Sequence, residues 1–326
     1  MKHYKEWVLW ALIIAFGGIY LSLCFNNNIW TDEGYTMDLL RNCKTFQEVC
    51  NFTAEDVHPP LYYLILKVFT DRFGIHLLLI KILSIVPMLL TMVLGATVIR
   101  KEFGFQTALF FILILGTLPC TMEYAVQARM YTWAILFVTL CGLEAYRIAA
   151  RGKLTDWIGY LLGGVGAAYT HYFAFAAVLW IYGFLFLYLL IRRRKQLLKW
   201  LATALLSLVI YLPWLTKMSA QVKGVSGNYW IPEIDGKVLL SYFPWIVNTN
   251  LPYVTAVMTV IFVIAFLLIA YQIRKKKALD GKTAAALFGV GIPILVVVTG
   301  VALSKLIRPI FIIRYVMPSI GLLCLF

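Results

Sequence analysis

Two adjacent carboxylates, Asp32 and Glu33, follow the first apolar run of the chain after a short polar stretch, and aromatic residues flank them. Neighbouring carboxylates repel each other, so one of them can be left with a raised pKa and can take up a proton as a general base. Solvated loop acids are the alternative interpretation, which we prefer for Asp38 and Glu48. For Asp32 and Glu33 we favour a catalytic role.

Two further segments carry side chains suited to an anion. In Asp56-Val57-His58-Pro59-Pro60, His58 could donate to a phosphate or orient a carboxylate. Arg129 is too far along the chain from Glu123 for a helical ion pair, and its planar guanidinium suits a phosphate. The alternatives are a capping role for Asp56 with an exposed His58, and an Arg129 that only snorkels to the membrane surface.

His171 and two late arginines complete the set of candidate site residues. His171 lies between two apolar runs beside aromatic residues, so it could also be an ordinary interface residue. Arg308 precedes the last apolar run, and Arg314, followed by Tyr315, lies inside it. An unpaired cation at that depth requires a cavity or a counter-ion.

The composition indicates where these residues must be held. The chain has 326 residues, of which 62% are hydrophobic and 13% charged, and its mean hydropathy is +0.84. Soluble domains are about 45–50% apolar and about 25% charged, so the composition excludes that class, and a disordered chain as well. A membrane-spanning helix needs about 20 mostly apolar residues, which predicts an all-α, polytopic transmembrane helix bundle of about ten spans. The predicted spans are Trp7–Phe25, His76–Ile99, Phe105–Cys120, Tyr131–Tyr146, Trp157–Thr170, Phe175–Ile191, Trp200–Thr216, Pro252–Tyr271, Thr283–Leu303 and Ile310–Phe326.

The distribution of basic residues predicts the orientation. The net charge is +14, and most of the 29 Lys and Arg residues fall in segments that share one side of the membrane if the N-terminus is cytoplasmic. Loops rich in Lys and Arg stay in the cytoplasm, so this pattern explains the charge as a topology signal and argues against a nucleic-acid partner. All the candidate site residues then belong to the extracytoplasmic side of a multi-pass protein of the plasma membrane.

We predict a single transmembrane domain over residues 1–326, with two large extracytoplasmic loops at 26–75 and 217–251. Within the first loop, Asp56–Phe73 is predicted to be an amphipathic helix at the membrane interface, with His58 at its start. A cavity that joins carboxylates, His and Arg on this side suits an anionic lipid headgroup that reacts with a hydroxyl. A nucleotide-dependent enzyme is disfavoured because no Gly-rich loop follows a strand.

The motifs together resemble the GT-C glycosyltransferases. The resemblance rests on Trp30-Thr31-Asp32-Glu33-Gly34, His58-Pro59-Pro60-Leu61-Tyr62-Tyr63, Gln127-Ala128-Arg129-Met130-Tyr131, Thr170-His171-Tyr172 and Arg314-Tyr315. The chain looks most similar to the bacterial proteins related to protein O-mannosyltransferases and to lipid A aminoarabinose transferases. Members of the family usually have further spans and often a soluble C-terminal part, so we expect such a part beyond residue 326.

The resemblance implies an inverting transfer of a sugar from a polyprenyl-phosphate donor to a hydroxyl acceptor outside the cytoplasm. Asp32 would be the general base, and Glu33 would support it or orient the acceptor. The donor's phosphate and sugar would contact the other candidates, namely Asp56, His58, Arg129, His171, Arg308, Arg314 and Tyr315. Some family members depend on divalent metals, and the outer acids could ligate one, but they form no compact ligand set, so we assign no metal site and no cofactor and leave a divalent metal open.

Two alternatives from other classes remain open. A transporter or flippase of lipid-linked sugars would also need an anion-binding cavity, although it would place ionisable groups near the midplane and show interrupted helices in pairs. An inactive, truncated homologue is the other alternative. Transfer activity with a lipid-linked donor separates the enzyme from both.

Overall fold

The computed structural model describes residues 3–25, 29–224, 231, 233–234, 241–248, 251–276 and 281–325, and these residues form helices and connecting segments without a strand. In chain order the α-helices are α1 His3–Cys24, α2 Thr31–Asn42, α3 Phe46–Glu55, α4 Leu61–Phe73, α5 Leu77–Leu94, α6 Arg100–Phe103, α7 Phe105–Thr117, α8 Pro119–Ala125, α9 Tyr131–Ala150, α10 Leu154–Thr170, α11 Tyr172–Arg192, α12 Leu197–Gly224, α13 Tyr242–Ile246, α14 Pro252–Lys276, α15 Gly281–Leu306 and α16 Ile320–Leu323. A π-helical turn, Gly95–Ile99, joins α5 to α6. The 3₁₀ turns Arg194–Gln196 and Ile313–Ser319 precede α12 and α16.

Among the described residues, six helical segments are long and apolar enough to cross a membrane. They are Tyr4–Cys24, Leu77–Phe103, Tyr131–Ala150, Tyr172–Arg192, Arg194–Gly224 and Gly281–Leu306. Helices α7 and α8 bend by 68° at their junction, and they make a seventh span if they are counted as one. The predicted all-α polytopic bundle is confirmed, but the predicted number of spans is not.

Three predicted spans differ from this set. Helix α10, at the predicted Trp157–Thr170 span, has 17 residues and is at the lower limit for crossing a bilayer. The described apolar stretch within α14 is Ala256–Leu268. The prediction of a spanning helix at Ile310–Phe326 is wrong, because residues 310–312 are not helical and a 3₁₀ turn with Pro318 inside follows them. Proline has no N–H and disfavours an α-helical residue before it, which fits the loss of α-helical hydrogen bonding at Pro318.

Helix α9 lies at the centre of the bundle and packs against α5, α10 and α11. The approach of α10 is close, because a Cβ on Gly163 would lie 2.7 Å from the backbone nitrogen of Cys141. Other helices turn apolar side chains outward, as α12 does with Leu198 and Val209. Exposed apolar helix faces of this extent fit a chain surrounded by lipid.

The first large loop, 26–75, folds into α2, α3 and α4. Helix α4 buries Tyr62, Tyr63 and Leu66 and exposes Val68, so the predicted amphipathic helix exists, but it begins at Leu61. The prediction that His58 begins this helix is wrong, because residues 56–60 form a connection between α3 and α4. The two prolines at 59 and 60 disfavour the helical conformation in the residues before them.

The second predicted loop, 217–251, is helical at its start. Helix α12 continues to Gly224, and the short helix α13 follows at Tyr242–Ile246. The remainder of that loop lies largely outside the described residues. The buried side chain of Gln221 on α12 donates to the carbonyl oxygen of Thr53 at 2.8 Å, which ties α12 to α3.

Candidate active site

Eight of the nine predicted site residues lie close together, and they come from five separate segments of the chain. They are the first turn of α2 (Asp32 and Glu33), the α3–α4 connection (Asp56 and His58), the turn before α9 (Arg129), the α10–α11 junction (His171) and the 3₁₀ turn Ile313–Ser319 (Arg314 and Tyr315). Hydrogen bonds, an ion pair and ring contacts connect neighbouring members of this group, which we call the charged cluster.

Glu33 holds two segments of the charged cluster in place through buried hydrogen bonds. Its side chain is 1% exposed. One carboxylate oxygen accepts the backbone N–H of Trp30 at 2.9 Å, and the other accepts that of Ala128 at 2.6 Å. The hydroxyl of Thr36 donates to the carbonyl oxygen of Ala128 at 2.9 Å. Glu33 therefore both caps α2 and fixes the turn that carries Arg129, which favours the supporting role over contact with an acceptor.

Arg129 is 3% exposed and already makes several hydrogen bonds within the protein. Its Nη1 donates to the carbonyl oxygen of Asp32 at 2.9 Å and to the hydroxyl of Tyr63 at 3.3 Å, and its Nη2 lies 2.9 Å from Nε2 of His58. No ion pair with Glu123 forms, since Glu123 accepts from the side chain of Gln127 at 3.1 Å instead. Arg129 is thus a buried cation that organises the site, with few donors left for a ligand.

The contact with Arg129 determines the proton position on His58. A guanidinium has no acceptor, so Nε2 of His58 must accept and be unprotonated. Nδ1 then carries the proton and donates to Asp56, whose Oδ2 lies 2.5 Å away. Asp56, His58 and Arg129 form a connected chain in which the carboxylate orients the imidazole and the imidazole orients the guanidinium.

Asp32 presents its carboxylate differently from Glu33. Its side chain is 35% exposed, and Oδ2 forms an ion pair with Nη2 of Arg314 at 2.8 Å. The segment that carries Arg314 is fixed by Ser304, whose hydroxyl accepts the backbone N–H groups of Ile310 and Phe311 at 3.2 and 3.1 Å. Of the two adjacent acids, Asp32 is the one that a substrate can reach.

An apolar groove of about 340 Å³ begins at the charged cluster and runs between α11, α12 and α15. His58, His171 and Tyr315 line its polar end. The rest is mainly apolar, with Phe175, Ala176, Leu179, Met218, Val222, Leu303 and Ile307 among the lining residues. Nδ1 of His171 accepts the backbone N–H of Phe173 at 3.1 Å and caps α11, and the rings of His171 and Tyr315 meet edge to face at 5.1 Å.

Burial and charge keep both histidines neutral. Burial lowers the pKa of His58, and the charge of Arg129 lowers it further. Burial also lowers the pKa of His171 well below its usual value, with His58, Arg129 and Arg314 adding to the effect. For Asp56, burial alone would raise the pKa, but hydrogen bonds from His58 and from the backbone of Val57 hold it below the usual range.

These pKa shifts predict that thermal stability falls as the pH is lowered below about 6.5, the usual value for a histidine. Because the folded protein holds its two site histidines at depressed pKa values, the unfolded chain binds protons first, and stability present above that pH is lost below it. In His58→Gln the loss should be smaller, since the Gln oxygen can accept from Arg129 without titrating. Thermal unfolding in detergent against pH measures this.

The matched control for this prediction is His76→Gln, because His76 is exposed and directly follows the first large loop. It should leave the pH dependence of the unfolding temperature as in the wild type. Equal pH dependence in His58→Gln and wild type would contradict the assignment of a neutral, buried His58.

Arg308 is the predicted site residue that the fold leaves apart. It lies partly exposed after α15, and within the described residues no hydrogen bond or ion pair joins it to the charged cluster. Tyr63 and Thr36 are contributors that the sequence interpretation missed. Thr36 follows Asp32 by one helical turn, a spacing that puts both on one face of α2, and Tyr63 was already part of the His58 motif. Across the described part of the chain, no three His, Cys, Asp or Glu side chains gather so that they could hold a metal ion.

The fold and the charged cluster define a polytopic helical membrane protein with an ionisable site beside an apolar groove. The family model of the dolichyl-phosphate-mannose-protein mannosyltransferases matches residues 57–216, slightly less than half of the chain. The match supports membership of the GT-C superfamily of membrane glycosyltransferases and confirms the resemblance found in the motifs. His58, Arg129 and His171 lie within the matched residues, whereas Asp32, Glu33 and Arg314 lie outside them. No curated protein and no solved structure gives a significant match.

Proposed function

We propose that the chain is an inverting glycosyltransferase that moves a sugar from a polyprenyl-phosphate donor to a hydroxyl acceptor on the extracytoplasmic face. The observation that carries the proposal is the junction of the charged cluster with the apolar groove. A polyprenyl-phosphate sugar has a long apolar chain and an anionic phosphate, and these two parts match the two parts of the site. The matching family's description also names a dolichyl-phosphate-linked sugar.

The donor's position follows from the shape of the groove. Its prenyl chain would lie along α11, α12 and α15, where the lining is apolar and a chain of isoprene units replaces lipid at little cost. Its phosphate would lie at the polar end, near His58 and Tyr315, the residue that follows Arg314. The sugar would then face Asp32, whose carboxylate is partly exposed.

In the reaction, the carboxylate of Asp32 takes the proton of the acceptor hydroxyl, and the acceptor oxygen forms a bond to the anomeric carbon. The bond from that carbon to the phosphate oxygen breaks, and its electron pair leaves with polyprenyl phosphate. Arg314 stabilises the charge that grows on the phosphate, and the buried charge of Arg129 adds to this stabilisation. No strong general acid is therefore needed. A single displacement of this kind inverts the configuration at the anomeric carbon.

The orientation supports the same proposal. With a cytoplasmic N-terminus in the plasma membrane, the basic segments lie inside and the charged cluster lies outside. The acceptor would be a protein, a lipid or a cell-envelope glycan that reaches Asp32 from the extracytoplasmic side.

The test uses the purified chain in proteoliposomes with a panel of radiolabelled polyprenyl-phosphate sugars and a mixture of hydroxyl acceptors. We expect one donor to lose its sugar to an acceptor, with release of polyprenyl phosphate in equal amount. Movement of intact donor between the leaflets without release would instead identify a transporter. Binding of a donor without either event would indicate an inactive homologue.

A further inference from the structure

Two guanidinium groups meet at Asp32, and they differ in what they can still bind. Arg129 is 3% exposed and directs three of its five N–H groups to Asp32, Tyr63 and His58. It cannot turn towards a ligand without breaking the contacts that hold the site together. A phosphate in the groove therefore needs another cation.

Arg314 is that cation. Its side chain is 22% exposed, and its ion pair with the carboxylate of Asp32 uses one N–H of Nη2. Among the described residues, the buried Nε atoms of Arg314 and of Arg129 both have no hydrogen-bond partner, so the two guanidinium groups differ in their exposure and in their Nη contacts. Tyr315, the next residue, lines the groove, whereas Arg314 does not, so the Arg314 side chain would have to turn from Asp32 towards the groove to meet a phosphate there. Donors remain on Arg314, and its charge is balanced by the carboxylate that would serve as base.

We propose that Arg314 exchanges partners when the donor binds: it holds the carboxylate of Asp32 in the empty site and passes to the donor's phosphate in the complex. This inference rests on the proposed function. A phosphodiester offers two oxygens to a planar guanidinium in a bidentate arrangement, which the single contact with Asp32 does not provide. Arg314 is a positioning residue for the base as well as a ligand of the phosphate.

The exchange imposes an order on the reaction. Before the donor binds, Oδ2 of Asp32 is paired with Arg314, and only Oδ1 is open to an acceptor hydroxyl. After the donor binds, both oxygens of Asp32 are open beside the anomeric carbon. The exchange therefore favours binding of the donor before the acceptor's proton is transferred.

A double-mutant cycle on phosphate binding tests the exchange without any need for sugar transfer. The probe is farnesyl phosphate, an apolar chain with a phosphate, titrated calorimetrically into the full chain in detergent. Asp32→Asn should tighten its binding by about tenfold, because Arg314 no longer has to break an ion pair with a carboxylate before it binds the phosphate. A charged hydrogen bond of this kind contributes about 1.4 kcal/mol or more, which corresponds to a tenfold change in affinity. In an Arg314→Gln background the same substitution should change the affinity by less than about twofold.

Lys305→Gln is the matched control background, since Lys305 is an exposed cation in the last turn of α15. There the tightening by Asp32→Asn should persist. Arg314→Lys gives a second background in which the charge remains and part of the tightening should survive. Tightening of equal size with and without Arg314 would overturn the exchange, because Asp32 would then act only as a repelling charge.

Other outcomes separate this inference from the proposed function. If the cycle gives the expected coupling but no donor is consumed in proteoliposomes, the exchange stands and the transferase proposal fails. If farnesyl phosphate binds neither the wild type nor Asp32→Asn, both the exchange and the polyprenyl-phosphate donor are overturned.

Discussion

In Asp32→Asn we expect the turnover number for sugar transfer to fall by about 10²- to 10⁴-fold, the usual contribution of a general base. The carboxamide keeps the size of the side chain and can still accept from Arg314, but it cannot take the acceptor's proton. The protein should fold normally, because the Asp32 side chain is partly exposed and caps no helix. Initial rates at saturating donor measure the loss. Thermal unfolding of both proteins checks that equal amounts of folded wild type and variant are compared.

The control is Asp38→Asn, which removes a carboxylate from an exposed position on the same helix. That variant should transfer sugar at a rate within about twofold of the wild type, since exposed substitutions away from the site usually have small effects. If Asp32→Asn retains the wild-type turnover number, Asp32 is not the base, whatever its position.

The second large effect is expected for Glu33→Gln. Both carboxylate oxygens of Glu33 accept backbone N–H groups, from Trp30 and from Ala128. A carboxamide offers one accepting oxygen, so its NH₂ group would face one of these N–H groups and leave it unpaired. An unsatisfied buried donor costs about 1–3 kcal/mol, and the turn that carries Arg129 would shift with it. We expect a lower unfolding temperature, measured by thermal melts, and at least about a tenfold loss of sugar transfer, measured by initial rates.

The chain contains a close match for the control. Glu48 also accepts two backbone N–H groups with one carboxylate, from Lys44 at 2.6 Å and Thr45 at 3.3 Å, but it is exposed at the start of α3. Both N–H groups of that pair go to the same oxygen, Oε2, which a carboxamide keeps, and the site is open to water, so in Glu48→Gln stability should change by no more than about 0.5 kcal/mol. Equal destabilisation in the two variants would show that neither the burial of Glu33 nor its use of both oxygens has a special consequence.

Much of the architecture could be predicted from the sequence, because composition and apolar run length act locally. The bundle of apolar helices and the helix after Pro60 follow from residue type alone. The number of spans could not be obtained in this way. Run length does not reveal that α7 and α8 bend at Pro119, or that the chain around Pro318 forms a 3₁₀ turn in place of a spanning helix.

The candidate site, like the fold, could be predicted from the sequence only in part. Residue types and a shared predicted side of the membrane were enough to select Asp32, Glu33, His58, Arg129 and Arg314, and the fold brings these residues together. The sequence could not separate the roles of Asp32 and Glu33, because neighbours on a helix point in different directions and only the packing decides which one is buried. It also suggested a free Arg129, whereas contacts from segments far apart in the chain use most of its donors.

The proposed donor site is tested most directly by photo-crosslinking with a polyprenyl-phosphate sugar that carries a diazirine on its prenyl chain. We expect labelled peptides from α11 and α15 that contain Leu179 and Leu303, and excess unlabelled donor should protect them. Ala176→Phe, which fills the groove, should abolish the protected labelling, whereas Ala202→Phe on an exposed face of α12 should not. Protected labelling that lies elsewhere, or that survives Ala176→Phe, would contradict a donor held in this groove.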